Sequence, residues 1–227
     1  RMPPDRVQLI TEGPAEVFSP RPEGPTSDAD PARHGLAPGS RYFLYVGGLS
    51  PHKNLPRLID AFAQLGRDDV RLVLVGDLGD VFHTHVPAIR ARIDRHGLGA
   101  RVLLAGFVPD DDLAVLYSRA EALVQPSLIE GFGLPPVEAM AYGTPVLYSR
   151  AGSLPEVVGE AGLDFDPTDI PAMAEVLRRF LLDPSLRELL SARALRRAQG
   201  FTWPLAARML LAVFDDLLMP TARFRAA

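Results

Sequence analysis

Two glutamates stand eight positions apart across a glycine-rich turn in Glu130-Gly131-Phe132-Gly133-Leu134-Pro135-Pro136-Val137-Glu138, a stretch led in by Ser127. Carboxylates accept hydrogen bonds from hydroxyl groups, so the pair could grasp a polyhydroxyl ligand at both ends. A helix is expected to open at the prolines, and helix N-termini attract anions through unpaired N–H groups and the macrodipole. Pro135 and Pro136 remove two of those donors, so an anion must be held by the amides of Gly131 to Leu134, or by Val137 beyond them. Hydroxyls on the acids and phosphates on the glycines is a pattern that fits a nucleotide sugar. A capped helix with favourable early acids reads the same way.

A second loop, Gly47-Gly48-Leu49-Ser50-Pro51-His52-Lys53-Asn54, offers two glycines for close backbone approach and the point charge of Lys53. Asn54 is expected to cap a helix with Pro56 in its first turn. The loop would hold a phosphate, or it is an ordinary strand-to-helix turn. It is neither a Walker A loop, which ends in Gly-Lys-Ser/Thr, nor a G-x-G-x-x-G fingerprint. Gly76-Asp77-Leu78-Gly79-Asp80 and Gly106-Phe107-Val108-Pro109 each place a glycine at the end of an apolar run, where it serves either a ligand or a turn.

The elements that position these loops follow from periodicity. Short apolar runs predict strands at 43–46, 70–75, 102–105, 122–125, 145–148 and 163–165. Between and after them, 3.6-residue patterns predict helices at 55–65, 86–96, 111–119, 135–142, 154–158, 171–182, 185–199 and 203–218. Apolar strands joined by helical crossovers make an α/β fold, a doubly wound parallel sheet of about six strands with helices on both faces. Such sheets bind ligands outside the carboxyl ends of their strands, where all four loops fall. Residues 1–40 differ: prolines and glycines recur throughout, and only 7–10 alternates enough for a short strand, so this segment reads as a linker.

Composition narrows the class. The chain has 227 residues, 47% hydrophobic and 23% charged, which excludes intrinsic disorder and collagen-like repeats. The absence of cysteine excludes disulfide scaffolds, thiolate zinc sites and a cysteine nucleophile. A net charge of −4 gives no global footprint for nucleic acid, so any bound anion must be met locally. No apolar run is long enough to span a membrane and the first residues lack a signal-peptide pattern, so a cytoplasmic location is expected.

The stretch from Glu130 to Val146 resembles the E-x7-E signature of family 4 retaining glycosyltransferases of the GT-B fold. The loop from Gly47 to Asn54, the run Val75-Gly76-Asp77, the turn Gly106-Phe107-Val108 and Gly152-Ser153-Leu154-Pro155-Glu156-Val157-Val158 fall in that family's order, and Phe201-Thr202-Trp203 resembles its ending. The resemblance implies one Rossmann-like half of a two-domain architecture, the donor-binding C-terminal half. Residues 1–40 would be a trailing strand and linker from an N-terminal domain, 41–200 the nucleotide-sugar domain, and 201–227 a helix and tail packing back toward that other domain. Lys53 would neutralise the donor diphosphate and Glu138 would bind the ribose hydroxyls. Glu130, as the catalytic residue, and the amides of Gly131, Phe132 and Gly133 would address the transferred sugar, and Phe107 and Val108 would meet the base through main-chain contacts. Gly47, Gly48, Gly76, Gly106, Ser127 and Leu134 complete the implied donor site. No cofactor or metal is implied. The donor would be a GDP- or UDP-linked hexose, and a saccharide or lipid-linked acceptor would be met through the other domain. Many family members carry Gly-Arg where this chain has Gly47-Gly48, which leaves Lys53 as the sole obvious cation.

Other features read as structural. Asp110-Asp111-Asp112 opens a helix, where acids complement the dipole. His83-Thr84-His85 has the wrong spacing for a helical metal pair. Trp203 is expected in core or staple packing, and Arg187, Arg193, Arg196 and Arg197 on a solvated face opposite Leu186, Leu189, Leu190 and Leu195. A GT-B sugar-nucleotide epimerase or isomerase, or a non-enzymatic nucleotide-sugar binding module, remain rival readings, and self-association through an exposed interdomain face is expected.

Overall fold

The computed structural model describes residues 7–18, 31–79 and 85–218. The apolar runs form β1 (Arg41–Val46), β2 (Val70–Val75), β3 (Val102–Gly106), β4 (Ala122–Gln125), β5 (Val146–Ser149) and β6 (Gly162–Phe165). Every adjacent pair is parallel, in the order β3-β2-β1-β4-β5-β6. The helices are α1 (Leu55–Ala63), α2 (Val86–Arg95), α3 (Asp110–Arg119), α4 (Leu134–Ala141), α5 (Leu154–Val158), α6 (Ile170–Leu182), α7 (Pro184–Ala198) and α8 (Trp203–Leu218). Each element lies within a residue or two of the bounds read from the sequence, the ordinary spread at element ends.

Successive side chains of a strand face opposite ways, and β1 shows the consequence. Tyr42, Leu44 and Val46 enter one core with residues of α3, α4 and α5, while Phe43 and Tyr45 enter a second with residues of α1, α2 and α6. Both faces of the sheet are therefore dry, and each fully buried Leu or Phe contributes roughly 1.5–3 kcal/mol to holding the layers together. β1 lies at the centre, between β2, paired along its whole length, and β4, paired only at Phe43↔Ala122 and Leu44↔Leu123.

Several expectations are corrected. Residues 7–10 form no strand: Val7 and Leu9 are exposed, and neither edge of the sheet, β3 or β6, takes the segment as a neighbour. A strand without a partner leaves its backbone to water. Farther on, Phe18 is buried edge-on against Tyr117, and the Tyr142 hydroxyl donates to the Val17 carbonyl at 2.7 Å. Trp203 is 54% exposed rather than packed. Leu190 of α7 is buried and Leu186 packs on the core, but Leu189 and Leu195 stay exposed because the helix lies along the rim of both cores. Three of its arginines work on backbone carbonyls instead of facing only water: Arg187 donates to Leu181 at 2.6 Å, Arg193 to Glu160 at 3.4 Å and Arg197 to Val157 at 2.9 Å. His83, Thr84 and Asp80, with most of the linker prolines, lie outside the described residues.

Candidate functional site

The strand order places the site. Between β1 and β4 the winding of the sheet reverses, and the loops leaving two such strands diverge to open a crevice at their carboxyl ends. The loop after β1 carries Lys53 and the loop after β4 carries Glu130, so residues 77 positions apart in sequence meet there.

The Lys53 loop is shaped before any ligand arrives. Gly47 has φ 146 and its carbonyl lies so near Gly76 that a Cβ on Gly76 would sit 2.3 Å from it. Gly76 is therefore demanded by strand packing, and its N–H is already given to the Gly106 carbonyl at 3.0 Å. The buried Tyr45 hydroxyl donates to the Gly48 carbonyl at 2.6 Å, and burial, with the nearby Glu130 charge, pushes that phenol well up. Asn54 does not cap α1 with its side chain. It sits in the left-handed region at φ 61, which asparagine tolerates, and is buried. Its Nδ2 donates to the carbonyls of Pro126 at 3.0 Å and Pro167 at 2.8 Å, while Oδ1 accepts from Arg57. The Leu128 amide also donates to the His52 carbonyl at 2.8 Å, which locks the two loops together.

Lys53 Nζ reaches Glu130 Oε2 at 2.9 Å and Oε1 at 3.2 Å, with both side chains mostly buried. Gln125 Nε2 at 3.1 Å and Ser127 Oγ at 3.0 Å donate to the same Oε2. Burial alone would raise the Glu130 carboxyl, but the Lys53 ammonium and then the two neutral donors outweigh it, and the carboxyl falls below its ordinary value. Glu130 is thus ionised and held from behind. Ser127 is fully buried and acts on Glu130, and Gln125, 1% exposed, leaves its Oε1 without a partner among the described residues.

Past Glu130 the chain bends through Gly131, Phe132 and Gly133, the last at φ 99 as the residue before α4. The N–H groups of Gly131, Phe132 and Gly133 donate to no described residue, which leaves a run of free amides ahead of the prolines. The loop after β5 clamps the bend: Ser153 Oγ donates to the Phe132 carbonyl at 2.7 Å, and Gly152, at φ 58, lets the Glu130 backbone pass. Phe201 packs edge-on against Phe132 at 5.8 Å. Leu134 opens α4, and Glu138 lies one turn on, where its Oε2 accepts from the Tyr117 hydroxyl at 2.8 Å. Burial raises the Glu138 carboxyl, the Tyr117 bond opposes the rise, and Asp110 adds to it.

Of the remaining candidates, Gly106 has φ 70, Phe107 is 77% exposed, and the Val108 side chain belongs to the core beneath it. Sequence reasoning missed Gln125 and Tyr117, and it placed Asn54 and Ser153 in loops of the site without the partners they take there. Of the two missed, Gln125 carried a signal, an amide closing an otherwise apolar strand. Among the described residues no cluster of histidines and acids is placed to hold a metal, and no helix is long and apolar enough to cross a membrane.

The profile of the family described as Glycosyl transferases group 1 matches residues 26–197. The chain belongs to that family. This group 1 domain is 39% identical over 165 residues to the O-antigen chain mannosyltransferase B of Escherichia coli, covering 71% of the chain and 42% of that protein. Among solved structures it is similar to a sucrose-phosphate synthase from Thermosynechococcus elongatus, with a TM-score of 0.80 and 32% identity over 94% of this chain and 53% of that one. It is also similar to Anabaena Alr3699/HepE in complex with UDP and glucose, with a TM-score of 0.76 and 26% identity over 93% and 56% of the two chains. The group 1 domain therefore spans about half the length of these proteins, and its sheet is the Rossmann-like half of a GT-B architecture.

Proposed function

We propose that this domain binds the donor of a retaining glycosyltransferase that moves a hexose from a nucleotide diphosphate sugar to a saccharide or lipid-linked acceptor. The observation that carries the reading is the meeting of Lys53 and Glu130 at the switch point, beside the free amides of Gly131 to Gly133. A diphosphate would draw Lys53 from Glu130 and share the amides. Glu130, still gripped by Gln125 and Ser127, would then accept from the hydroxyls of the hexose. Glu138 would hold the ribose diol, and the main chain at Phe107 and Val108 the base.

In the transfer the bond from the anomeric carbon to the diphosphate breaks and a bond to the acceptor oxygen forms on the same face. The acceptor proton passes to the leaving phosphate oxygen, so no protein nucleophile is required. Catalysis is then positioning and stabilisation of leaving-group charge by Lys53 and the amides. The donor we propose is GDP-mannose or a UDP-hexose; a mannosyltransferase stands among the relatives, and a structural neighbour holds UDP and glucose.

Calorimetry with UDP, GDP, ADP and their hexose conjugates tests the reading. One diphosphate should bind, and Lys53→Ala should weaken it by on the order of tenfold to a hundredfold while leaving the bare nucleoside unaffected. Unchanged diphosphate affinity in that variant would remove the phosphate assignment. The 227-residue chain alone is expected to bind donor and to transfer little.

A further inference from the structure

We propose that Tyr117 is a positioning residue of the donor site, whose hydroxyl fixes the Glu138 carboxylate in the orientation that receives the ribose diol. The inference rests on the reading of Glu138 given above, and it adds a residue that never touches the ligand.

Tyr117 is immobilised from every direction. Its ring is fully buried on α3 and meets Phe18 edge-on, with centroids 5.8 Å apart and planes at 86°. Its carbonyl accepts from Thr144 Oγ1 at 2.6 Å, and the carbonyl before it, on Leu116, accepts from the Tyr42 hydroxyl at 2.8 Å. The one polar atom of this clamped ring donates to Glu138 Oε2 at 2.8 Å. A glutamate side chain turns about three bonds, so anchoring one oxygen on a rigid donor removes most of that freedom and leaves Oε1 to accept from two neighbouring hydroxyls.

A buried phenol needs an acceptor, and that need alone would be met by a neutral amide or a carbonyl. The chain instead places a carboxylate where burial and Asp110 both oppose its charge. A charge kept against those two forces is suited to a ligand that supplies donors, and a vicinal diol supplies two.

The test measures binding of UDP, GDP and their 2′-deoxy analogues to the 227-residue chain by calorimetry. The unmodified chain should prefer the ribonucleotide by on the order of tenfold, the loss expected for one hydrogen bond to a charged group. Tyr117→Phe keeps the ring and its packing and should shrink that preference to about threefold or less, with the deoxy nucleotide, which keeps only its 3′-hydroxyl, weakened less than the ribonucleotide. Tyr117→Phe with the full preference, or with both nucleotides weakened alike as a packing defect would do, overturns the proposal. Glu138→Gln separates the underlying reading: if the unmodified chain shows no ribose preference and Glu138→Gln changes nothing, the ribose assignment and the proposal fall together. If Glu138→Gln abolishes a preference that Tyr117→Phe leaves intact, the proposal alone falls. A second readout needs no ligand. Carbon-13 NMR of the Glu138 carboxyl, with Asp110 and Tyr117 as the ionisable neighbours, should titrate at higher pH in Tyr117→Phe, and an unmoved midpoint overturns the proposal.

Discussion

At the scale of single residues the two glutamates occupy opposite electrostatic situations. Glu130 is supplied with donors and its carboxyl is lowered, whereas Glu138 is half-buried against a single donor and its carboxyl is raised. A raised carboxyl means that the folded chain is penalised for carrying the charge. The penalty is absent below the ordinary carboxylate range, grows as pH climbs through the raised value, and is complete at neutrality. Glu138→Gln should therefore stabilise the chain at pH 7. That gain should fade as pH falls below the ordinary carboxylate range, and urea melts at several pH values would show it. Both glutamates and Lys53 were legible in the sequence as groups able to hold hydroxyls and phosphate. Their partners were not. Asn54 has the side chain of a cap, but the same short amide tolerates the left-handed backbone, and only the nearness of Pro126 and Pro167 decides between the two uses. Tyr117 sat in a helical apolar pattern that gave its ring a place in the core and its hydroxyl no destination.

At the scale of elements, periodicity placed every strand of the sheet, because a sheet covered on both faces writes itself as unbroken apolar runs. It failed at residues 7–10, where alternation was present and a neighbouring strand was not, since pairing is a property of two segments. The loop after β5 is the element on which the site leans most. A Cβ on Gly152 would lie 2.1 Å from the Glu130 carbonyl oxygen and 3.0 Å from the Glu130 nitrogen, at a backbone φ of 58 that side chains disfavour. Gly152→Ala should cost about 2 kcal/mol or more and push the glycine bend out of place. Its urea midpoint should fall, and its affinity for nucleotide diphosphate sugar should fall further than stability alone explains.

At the scale of the whole molecule, α8 stands apart from the sheet. Of its residues only Ala206 is buried, while Leu210, Leu211, Phe214, Leu217 and Leu218 remain exposed. Apolar area of this kind on a chain that spans about half the length of its relatives leads us to expect self-association in solution. Sedimentation velocity should show larger species as concentration rises, and Leu211→Ser with Phe214→Ser should restore the monomer. Unchanged sedimentation of the unmodified chain across that range would rule the association out. The crevice, by contrast, depends on the narrowest seam in the sheet. β1 and β4 share two register pairs, and Lys53 and Glu130 hang from the two sides of that seam. A guest that touches both works as a rivet, so its arrival should be felt beyond the pocket floor, as slower deuterium uptake by the Glu121 amide, which donates to the Tyr42 carbonyl across that seam.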